Sequence, residues 1–340
     1  MTPRSLAAYD RMIDEAYRRW LHTLPSSLRT IGHALPGTIT LGATRWRSWQ
    51  HVFPIATTRA LPWLVGEAFP AVPPATHASL SVAFVLGALV ALVDDRLIDA
   101  QADFTRDLNL TRRCLEAHVH QRLSVVGRHA EFWRHYRRAF RVYVAAHARE
   151  PQLWLGISES SGHARYARES LAKSAVARLS IVALGAVGGA SASDLDRLAR
   201  LVDHYLIAMQ YADDVADCEE DFRRGRWTFF IQQHLTPAEI RRKTPIRLTQ
   251  LRRRIDAAPI AEDFLCQASW HYAACTRESQ PFAMPTLRAW VGDRRDQLRA
   301  LAMARQQARL HPHRTSAAAF ARELKRRWNT AATRVNSPSC

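Results

Sequence analysis

The amino-acid sequence predicts an all-α protein, a single large helical bundle. Apolar residues recur at the helical spacing along most of the chain, and alternating, strand-like stretches with hairpin signals are almost absent. The 340 residues include 13 Gly and 16 Pro, which leaves room for long helices. No internal repeat and no Gly/Ser-rich or Pro-rich linker divides the chain. We therefore predict one domain over residues 1–330 and a polar tail over 331–340.

The apolar pattern also predicts the order of the helices. The first covers roughly residues 5–24, shorter ones lie between 40 and 70, and Pro70, Pro73 and Pro74 break the chain before the next helix. That helix, at roughly 76–101, contains the apolar run LSVAFVLGALVALV, which is short for a membrane span and predicts a buried core helix. The remaining helices are predicted over roughly 108–148, 160–187, 193–223, 236–256, 261–278, 284–311 and 315–332.

The chain is strongly basic, with 48 Lys and Arg against 31 Asp and Glu and a formal net charge of +17. Such a charge attracts nucleic acid, anionic lipid or a polyanionic substrate. Because no zinc-finger spacing or RNP-like stretch is present, we expect no nucleic-acid partner. The five cysteines form no C-x-x-C pair, and the first residues lack the apolar core of a signal peptide. We therefore predict a cytoplasmic protein without a transmembrane segment.

An acidic segment, YADDVADCEEDFRRGRWTFF, covers residues 211–230. Asp213, Asp217 and Asp221 are spaced i, i+4 and i+8, which places three carboxylates on one stripe of a helix. Like charges one turn apart destabilise a helix, so we expect a cation or a binding partner against them. Mg²⁺ prefers oxygen ligands and completes its shell with water or substrate phosphates. The other acids of the segment, Asp214 among them, lie off the stripe, and at least some should be solvated or paired with the following arginines.

A second acidic cluster ends the long apolar helix, in LVDDRLIDA at 92–100. Asp95 and Asp99 are again one turn apart, and Asp94 precedes them. Burying a carboxylate without a partner is costly, so acids directly after a buried apolar run indicate a bound cation. Acids at helix ends are also common on solvated surfaces. Two such clusters on two apolar helices nevertheless favour a metal site.

The two clusters resemble the Asp-rich motifs of the class I isoprenoid synthase superfamily, which comprises trans-prenyltransferases, class I terpene synthases and squalene/phytoene synthases. DDRLID is similar to the first motif and DDVADCEED to the second. The resemblance implies a helical bundle with a central apolar cavity, in which three Mg²⁺ ions, for which Mn²⁺ could substitute, bind a prenyl diphosphate substrate. The metal ligands that it implies are Asp94, Asp95, Asp99, Asp213, Asp217 and Asp221.

The resemblance also implies groups that bind the diphosphate. In YARESLAKSAVARLSIVALGAVGGAS, Lys173 holds the place of a diphosphate-binding lysine. A departing diphosphate needs positive charge where its negative charge develops. Arg178, Arg224 and Arg226 are predicted as further donors.

The prenyl chain is expected to lie in an apolar and aromatic pocket, which keeps water from the allylic cation and stabilises it. Val90 and Ala91, one turn before the first cluster, are small and suggest room for a farnesyl or geranylgeranyl chain. Near the C-terminus, Arg294 and Arg295 are candidates for closing over the diphosphate. The predicted pocket residues are Phe84, Val90, Ala91, Gln210, Tyr211 and Trp227, with Phe229 as a further aromatic candidate.

The pattern departs from the superfamily in two places. If Asp95 and Asp99 are the ligand pair, which their spacing on one face favours, the second position of the first motif is Arg96. Chain-elongating members also use an N-terminal Gly-Lys-x-x-Arg type stretch and an arginine pair after the first motif, and here Arg112 and Arg113 lie about three turns too late. Without a second diphosphate site, elongation loses its acceptor. We therefore predict a class I terpene synthase of bacterial type that cyclises the cation or quenches it with water.

Other functions stay open. A trans-prenyltransferase would elongate the chain or transfer it to another acceptor, and a squalene/phytoene-type enzyme would join two prenyl diphosphates head to head. A non-enzymatic basic bundle would bind nucleic acid or an anionic membrane, with salt-sensitive association and no metal dependence. Association into a homodimer is also left open.

Overall fold

The computed structural model describes residues 5–39, 49–53, 56–98, 105–149, 162–242, 246–310 and 322. Within these ranges every regular element is a helix and no strand is present. The predicted all-α class is therefore confirmed. Apart from residue 322, the helix predicted over 315–332 and the polar tail over 331–340 lie outside the described residues.

The helices follow one another along the described chain. They are α1 (Leu6–Thr23), α2 (Ser26–Ile39), α3 (Trp49–Val52), α4 (Ala56–Val65), α5 (Pro74–Ile98), α6 (Arg106–Leu123), α7 (Ala130–Arg149), α8 (Gly162–Lys173), α9 (Leu179–Val187), α10 (Ala192–Ala216), α11 (Cys218–Arg223), α12 (Phe229–Gln232), α13 (Pro237–Arg242), α14 (Leu248–Ala257), α15 (Ile260–Ser279) and α16 (Pro285–Leu310).

Several predicted helices are divided in the structure. α6 and α7 replace the single helix predicted over 108–148, because the chain turns at Gly127, whose φ of 62° favours glycine. The segments 162–173 and 175–187 meet at 65°, and α10 and α11 meet at Asp217. α13 and α14 replace the helix predicted over 236–256, and α2 lies where no helix was predicted. Apolar spacing continues through these breaks, so periodicity alone does not locate them.

Side-chain caps fix where several helices begin. Ser5 at α1 and Thr105 at α6 each accept a hydrogen bond from the backbone N–H three residues later. At α10, Ser191 and Asp194 form a reciprocal capping box. These caps satisfy N–H groups that the first turn of a helix leaves without a carbonyl partner.

α5 is the central helix of the bundle. Its side chains from Leu80 to Leu86 are all buried, and α1, α4, α6 and α9 pack against it. Among the described helices, α5 alone is long and apolar enough to cross a membrane by itself, and α8 with α9 would qualify only if joined across their bend. Because 67% of the most apolar window of α5 is enclosed by the fold, α5 is a core helix, as the sequence predicts. A second layer consists of α10, α15 and α16, packed in that order.

Candidate active site

A cavity of about 1360 Å³ lies inside the bundle. Side chains from α5 to α10 line it, together with Val52, Phe53 and Thr58 from the α3–α4 region and with residues that follow α10 as far as Phe229. Its volume exceeds the ~300–1000 Å³ of pockets that hold compact small molecules. The part that we call its acidic end is lined by Asp94 and Asp95, near the end of α5, and by Asp213, Asp217 and Asp221, at and after the end of α10. Most of the other lining side chains are apolar. This arrangement suits an elongated ligand with a polar head and an apolar chain.

α5 contributes one face to both ends of the cavity. Phe84, Ala91 and Asp95 lie on that face at helical spacing, and the predicted Val90 also lines the cavity. From Phe84 to Asp95 the helix rises by about 17 Å. The acidic and apolar parts of the cavity are therefore connected along a single helix.

Asp94 and Asp95 both line the cavity, but their surroundings differ. Arg112 holds Asp94 with two parallel hydrogen bonds, from Nε to Oδ1 and from Nη2 to Oδ2, both 2.7 Å. Tyr143 Oη donates to Asp94 Oδ2 at 3.0 Å, and Arg112 Nη1 donates to Glu116 at 2.7 Å. Asp95 has no hydrogen bond or ion pair with the described residues. Of the two acids, Asp95 is therefore the one whose oxygens are available to a ligand.

The contact of Arg112 with the first cluster was not expected from the sequence, where Arg112 lies about three turns too late. α6 runs antiparallel to α5, because Ser79 Oγ donates to the carbonyl of Arg122 at 3.1 Å while Arg112 bonds to Asp94. The chain reversal thus returns Arg112 to the acidic end of the cavity. The sequence does show a basic residue, Arg112, after the first cluster. Its separation from Asp94 along the chain gives no indication that the two side chains meet.

The second acidic cluster lines the same cavity as the first, through Asp213, Asp217 and Asp221. α10 ends just before Asp217, so the three acids do not share one unbroken helix. The backbone N–H groups of Asp217 and Asp221 nevertheless bond to the carbonyls four residues earlier, at 2.8 and 2.9 Å. Helical spacing therefore continues through the break, and the structure brings Asp94 and Asp95 to one cavity with these three acids.

A tight turn after α11 returns a base to Asp221. Gly225 has a φ of 70°, which favours glycine, and Arg226 N then donates to the carbonyl of Asp221 at 2.8 Å. The Arg226 guanidinium lies 3.7 Å from the carboxylate. Burial, together with neighbouring acidic side chains, raises the pKa of Asp221 to about 6. Arg224, which pairs with Glu220 at 2.5 Å, also lines the cavity, so both predicted arginine donors of this segment lie at its acidic end.

Asp214 is a further candidate site residue, although it lies off the stripe formed by Asp213, Asp217 and Asp221. Glu219 pairs with arginines, as we expected of some off-stripe acids, but Asp214 is only 3% exposed. Tyr166 Oη donates to the Asp214 carboxylate at 2.9 Å, and Gln210 Nε2 donates at 2.8 Å. Burial raises the pKa of Asp214 to about 7, although these hydrogen bonds and the charge of Lys173 lower it. Asp214 also lines the cavity, so a buried acid lies beside the predicted ligands.

The predicted bases of the segment after α7 take different positions. Lys173 is the last residue of α8, and it lines the cavity where the chain bends toward α9. Arg178 does not line the cavity; its Nη1 donates instead to Asp203 at 2.6 Å. Because this contact joins the turn before α9 to α10, Arg178 ties helices together. We therefore leave Arg178 out of the candidate diphosphate site.

Among the predicted pocket residues, only Tyr211 does not line the cavity. It is 1% exposed, and its hydroxyl contacts His163 Nδ1 at 3.1 Å. Its ring packs against Tyr166, which lines the cavity, with 4.8 Å between ring centroids. Tyr211 therefore supports the wall without forming it. The predicted residues that line the cavity are Phe84, Val90, Ala91, Gln210 and Trp227, joined by Phe229.

The bases considered for closure over the diphosphate do not line the cavity either. Arg294 is 7% exposed and lies near Tyr272. Arg295 Nε donates to Asp296 at 2.8 Å. In this structure, α16 therefore brings neither arginine to the acidic end.

The donors at the acidic end fit a hard divalent cation. They are carboxylate oxygens, the ligand type that Mg²⁺ prefers. Within the part of the chain that the structure describes, no three Asp, Glu, His or Cys side chains form a ready-made metal cage; the predicted ligand Asp99 lies outside it. Mg²⁺ is usually held by one or two carboxylates and takes its other ligands from water and substrate phosphates. The acids present therefore fit a metal that binds together with a phosphorylated substrate.

The fold is similar to solved structures of prenyl synthases. A polyprenyl synthetase from Streptomyces coelicolor A3(2) superposes with a TM-score of 0.63 at 15% sequence identity, over 88% of this chain and 99% of that chain. A geranylgeranyl pyrophosphate synthase from Corynebacterium glutamicum gives 0.61 at 17% identity, over 88% and 91%. A geranylgeranyl pyrophosphate synthetase from the archaeon Geoglobus acetivorans gives 0.62 at 13% identity, over 85% and 97%.

At these identities the similarity shows the fold: the chain has the all-α fold of the isoprenoid synthases. The resemblance seen in the Asp-rich motifs is confirmed at that level. No protein-family model matches the sequence, and no curated protein matches it.

Proposed function

We propose that this chain is an enzyme that ionises an allylic prenyl diphosphate and transfers the prenyl group to an acceptor, as a trans-prenyltransferase does. The observation that carries the proposal is that side chains of both acidic clusters line one large and mainly apolar cavity. The likeness to polyprenyl and geranylgeranyl pyrophosphate synthases favours transfer over the cyclisation predicted from the sequence. Prenyl diphosphate is the proposed substrate.

Asp95, Asp213, Asp217 and Asp221 would hold divalent metal, with Asp99 as the ligand inferred from the sequence. Bound Mg²⁺ would neutralise the diphosphate as negative charge develops on its leaving oxygen. Asp94 differs from Asp95, since both oxygens of Asp94 already accept hydrogen bonds. We therefore assign Asp94 to positioning α5 against α6 and not to metal binding.

The chain's own bases and walls carry the rest of the proposed reaction. Lys173, Arg224 and Arg226 donate to the diphosphate, which takes the electron pair of the breaking C–O bond. The apolar walls exclude water from the allylic cation, and the faces of Trp227 and Phe229 stabilise its charge. An acceptor double bond then attacks the cation, and loss of a proton from the adduct restores neutrality.

A specific observation favours cyclisation as a second candidate. Elongation needs a second cationic site for the acceptor diphosphate, and Arg112 is the base that α6 brings to the first cluster. Arg112 already donates to Asp94 and Glu116, so its charge is matched within the protein. If no acceptor diphosphate binds, the cation is left to cyclise or to react with water.

The test is incubation of the purified protein with geranyl, farnesyl or geranylgeranyl diphosphate, in Mg²⁺ or in chelator, with and without isopentenyl diphosphate. Longer diphosphates that form only with isopentenyl diphosphate and Mg²⁺ support prenyl transfer. A hydrocarbon or alcohol from one diphosphate alone supports cyclisation or quenching, and a dimeric hydrocarbon supports head-to-head condensation. Absence of turnover with every substrate, in folded protein with Mg²⁺, contradicts the enzymatic proposal.

A further inference from the structure

The cavity reaches the protein surface between α6 and α7. His120 on α6 and Phe140 on α7 line the cavity and are exposed, Phe140 by 39%. Tyr136 Oη and His120 Nε2 lie 2.9 Å apart at this rim, and the Tyr136 ring stacks on Phe140. His120 lies eight residues beyond Arg112, which is about 12 Å along α6. Phe140 lies only three residues before Tyr143, which donates to Asp94. The opening therefore extends from near the acidic end along α6.

The outer face of α7 carries apolar side chains in addition to those of the rim. Val144 is 50% exposed and lies one turn beyond Phe140. Val142 is 36% exposed but lies on the opposite side of the helix, two residues from each of them. Isolated exposed apolar residues are ordinary, but Phe140 and Val144 form an exposed apolar pair beside an opening, which favours an interaction site. Part of α7 thus presents apolar surface that the described fold does not cover.

The same face of α7 is strongly basic. Arg134, Arg137, Arg138 and Arg141 are spaced i, i+3, i+4 and i+7, which aligns them along the helix, and all four are exposed. Arg134 pairs with Glu131, and Asp203 attracts Arg138. Arg137 and Arg141, one turn apart, have no carboxylate partner in the described parts of the chain. Like charges one turn apart destabilise a helix, so an anionic partner would relieve this repulsion.

We propose that the exposed face of α7 binds an anionic lipid surface, with its arginines on the head groups and Phe140 and Val144 in the interfacial layer. Basic side chains next to exposed apolar ones are the composition of helices that lie on membranes, and the net charge of +17 acts in the same direction. A second copy of the chain across a two-fold axis would instead bring the arginines of α7 against one another. Charge therefore favours lipid over self-association.

Lipid binding at this face does not depend on the proposed reaction. If that proposal also holds, the opening between α6 and α7 would face the bilayer, and a long prenyl chain could pass between lipid and cavity. Water exclusion at the opening would then come from the lipid.

The experiment measures sedimentation of the full chain with vesicles of phosphatidylcholine alone, or of phosphatidylcholine and phosphatidylglycerol in equal amounts. We expect binding to the anionic vesicles, weakened by salt, and little binding to the neutral ones. Because each basic residue near such a surface contributes about 1 kcal/mol, Arg137→Gln/Arg141→Gln should weaken partitioning about thirtyfold. The matched control is Arg11→Gln/Arg253→Gln, which removes the same charge from exposed positions on α1 and α14 and should change partitioning less than about threefold.

A second variant, Phe140→Ser/Val144→Ser, should weaken binding while leaving its salt dependence in place. Circular dichroism and thermal unfolding establish that each variant is folded. Equal binding to both kinds of vesicle, or unchanged binding of the arginine variant, would overturn the proposal. Light scattering that gives a dimer, which the Phe140→Ser/Val144→Ser variant converts to monomer, would assign this face to self-association instead.

Discussion

Arg112 on α6 clamps Asp94 on α5 through two parallel hydrogen bonds of 2.7 Å. The next residue, Asp95, lines the same cavity and has no such partner among the described residues. Adjacent acids in one motif-like segment therefore have different surroundings. The clamp fixes the end of α5, and Asp95 keeps its oxygens available at the acidic end of the cavity.

We expect Asp94→Asn to impair the stability of the protein and Asp95→Asn to impair its metal binding and turnover. Asp94→Asn removes the paired hydrogen bonds of Arg112 and leaves Glu116 as its remaining acidic partner, so it should lower the free energy of unfolding by about 2 kcal/mol. Asp95→Asn removes a proposed metal ligand; it should change stability by less than about 1 kcal/mol but weaken Mn²⁺ binding, as measured by calorimetry, and cost at least about a hundredfold in turnover.

Chemical denaturation of the two variants separates these roles. Adding Arg112→Gln to Asp94→Asn removes both charges and should recover part of the lost stability. Equal destabilisation by Asp94→Asn and Asp95→Asn, with equal loss of metal affinity, would show that the two acids act alike.

Lys173 and Arg178 are two nearby basic residues with different proposed roles, so their variants can be compared directly. Lys173→Gln removes a donor at the acidic end of the cavity and should lower kcat/KM by about 10²- to 10³-fold. Arg178→Gln removes the partner of Asp203, whose pKa burial raises to about 6, and should lower the free energy of unfolding by about 2 kcal/mol. Steady-state kinetics and urea denaturation measure both effects. A large kinetic defect in folded Arg178→Gln, with normal Lys173→Gln, would reverse the assignment.

The preference of the enzyme for substrates of different prenyl chain length should depend on the size of the side chain at position 91. Ala91 lines the cavity one turn before Asp95, so Ala91→Phe places a ring across the path of a long chain. We expect kcat/KM for geranylgeranyl diphosphate to fall at least about tenfold relative to geranyl diphosphate. The control is Gly87→Ala, whose added Cβ would meet Val119 Cγ1 at 3.7 Å, an ordinary contact. An unchanged ratio of substrates in Ala91→Phe would place the chain elsewhere.

Stability in acid should depend on His234. It is 5% exposed and its Nε2 has no hydrogen-bond partner in the described chain; burial, with the charges of Arg305 and Arg254, lowers its pKa to about 4. Because the folded-state pKa lies below the unfolded value of about 6.5, the stability that this group contributes is present above pH 6.5 and is lost as the pH falls toward 4.

The difference of about 2.5 pKa units corresponds to about 3 kcal/mol. In His234→Leu, the free energy of unfolding should therefore fall less between pH 7 and pH 4 than it does in the parent protein. Guanidinium denaturation at several pH values measures this difference. Parallel pH profiles for the two proteins would contradict the expected titration.

The sequence by itself determined the helical class, most helix positions, both acidic clusters and the small residues on α5. These features depend on spacing within one helix, where 3.6 residues per turn sets which side chains share a face. For that reason the sequence placed Ala91 one turn before Asp95 and named both as site residues.

Only the tertiary structure decided which side chains meet. It brought Arg112 back to Asp94, turned Arg178 toward Asp203 and buried Asp214 beneath Tyr166. Breaks at Gly127 and after Lys173 redirect helices whose apolar spacing continues through them. Contacts between helices depend on these chain reversals and on packing, which a pattern that repeats along one helix does not contain.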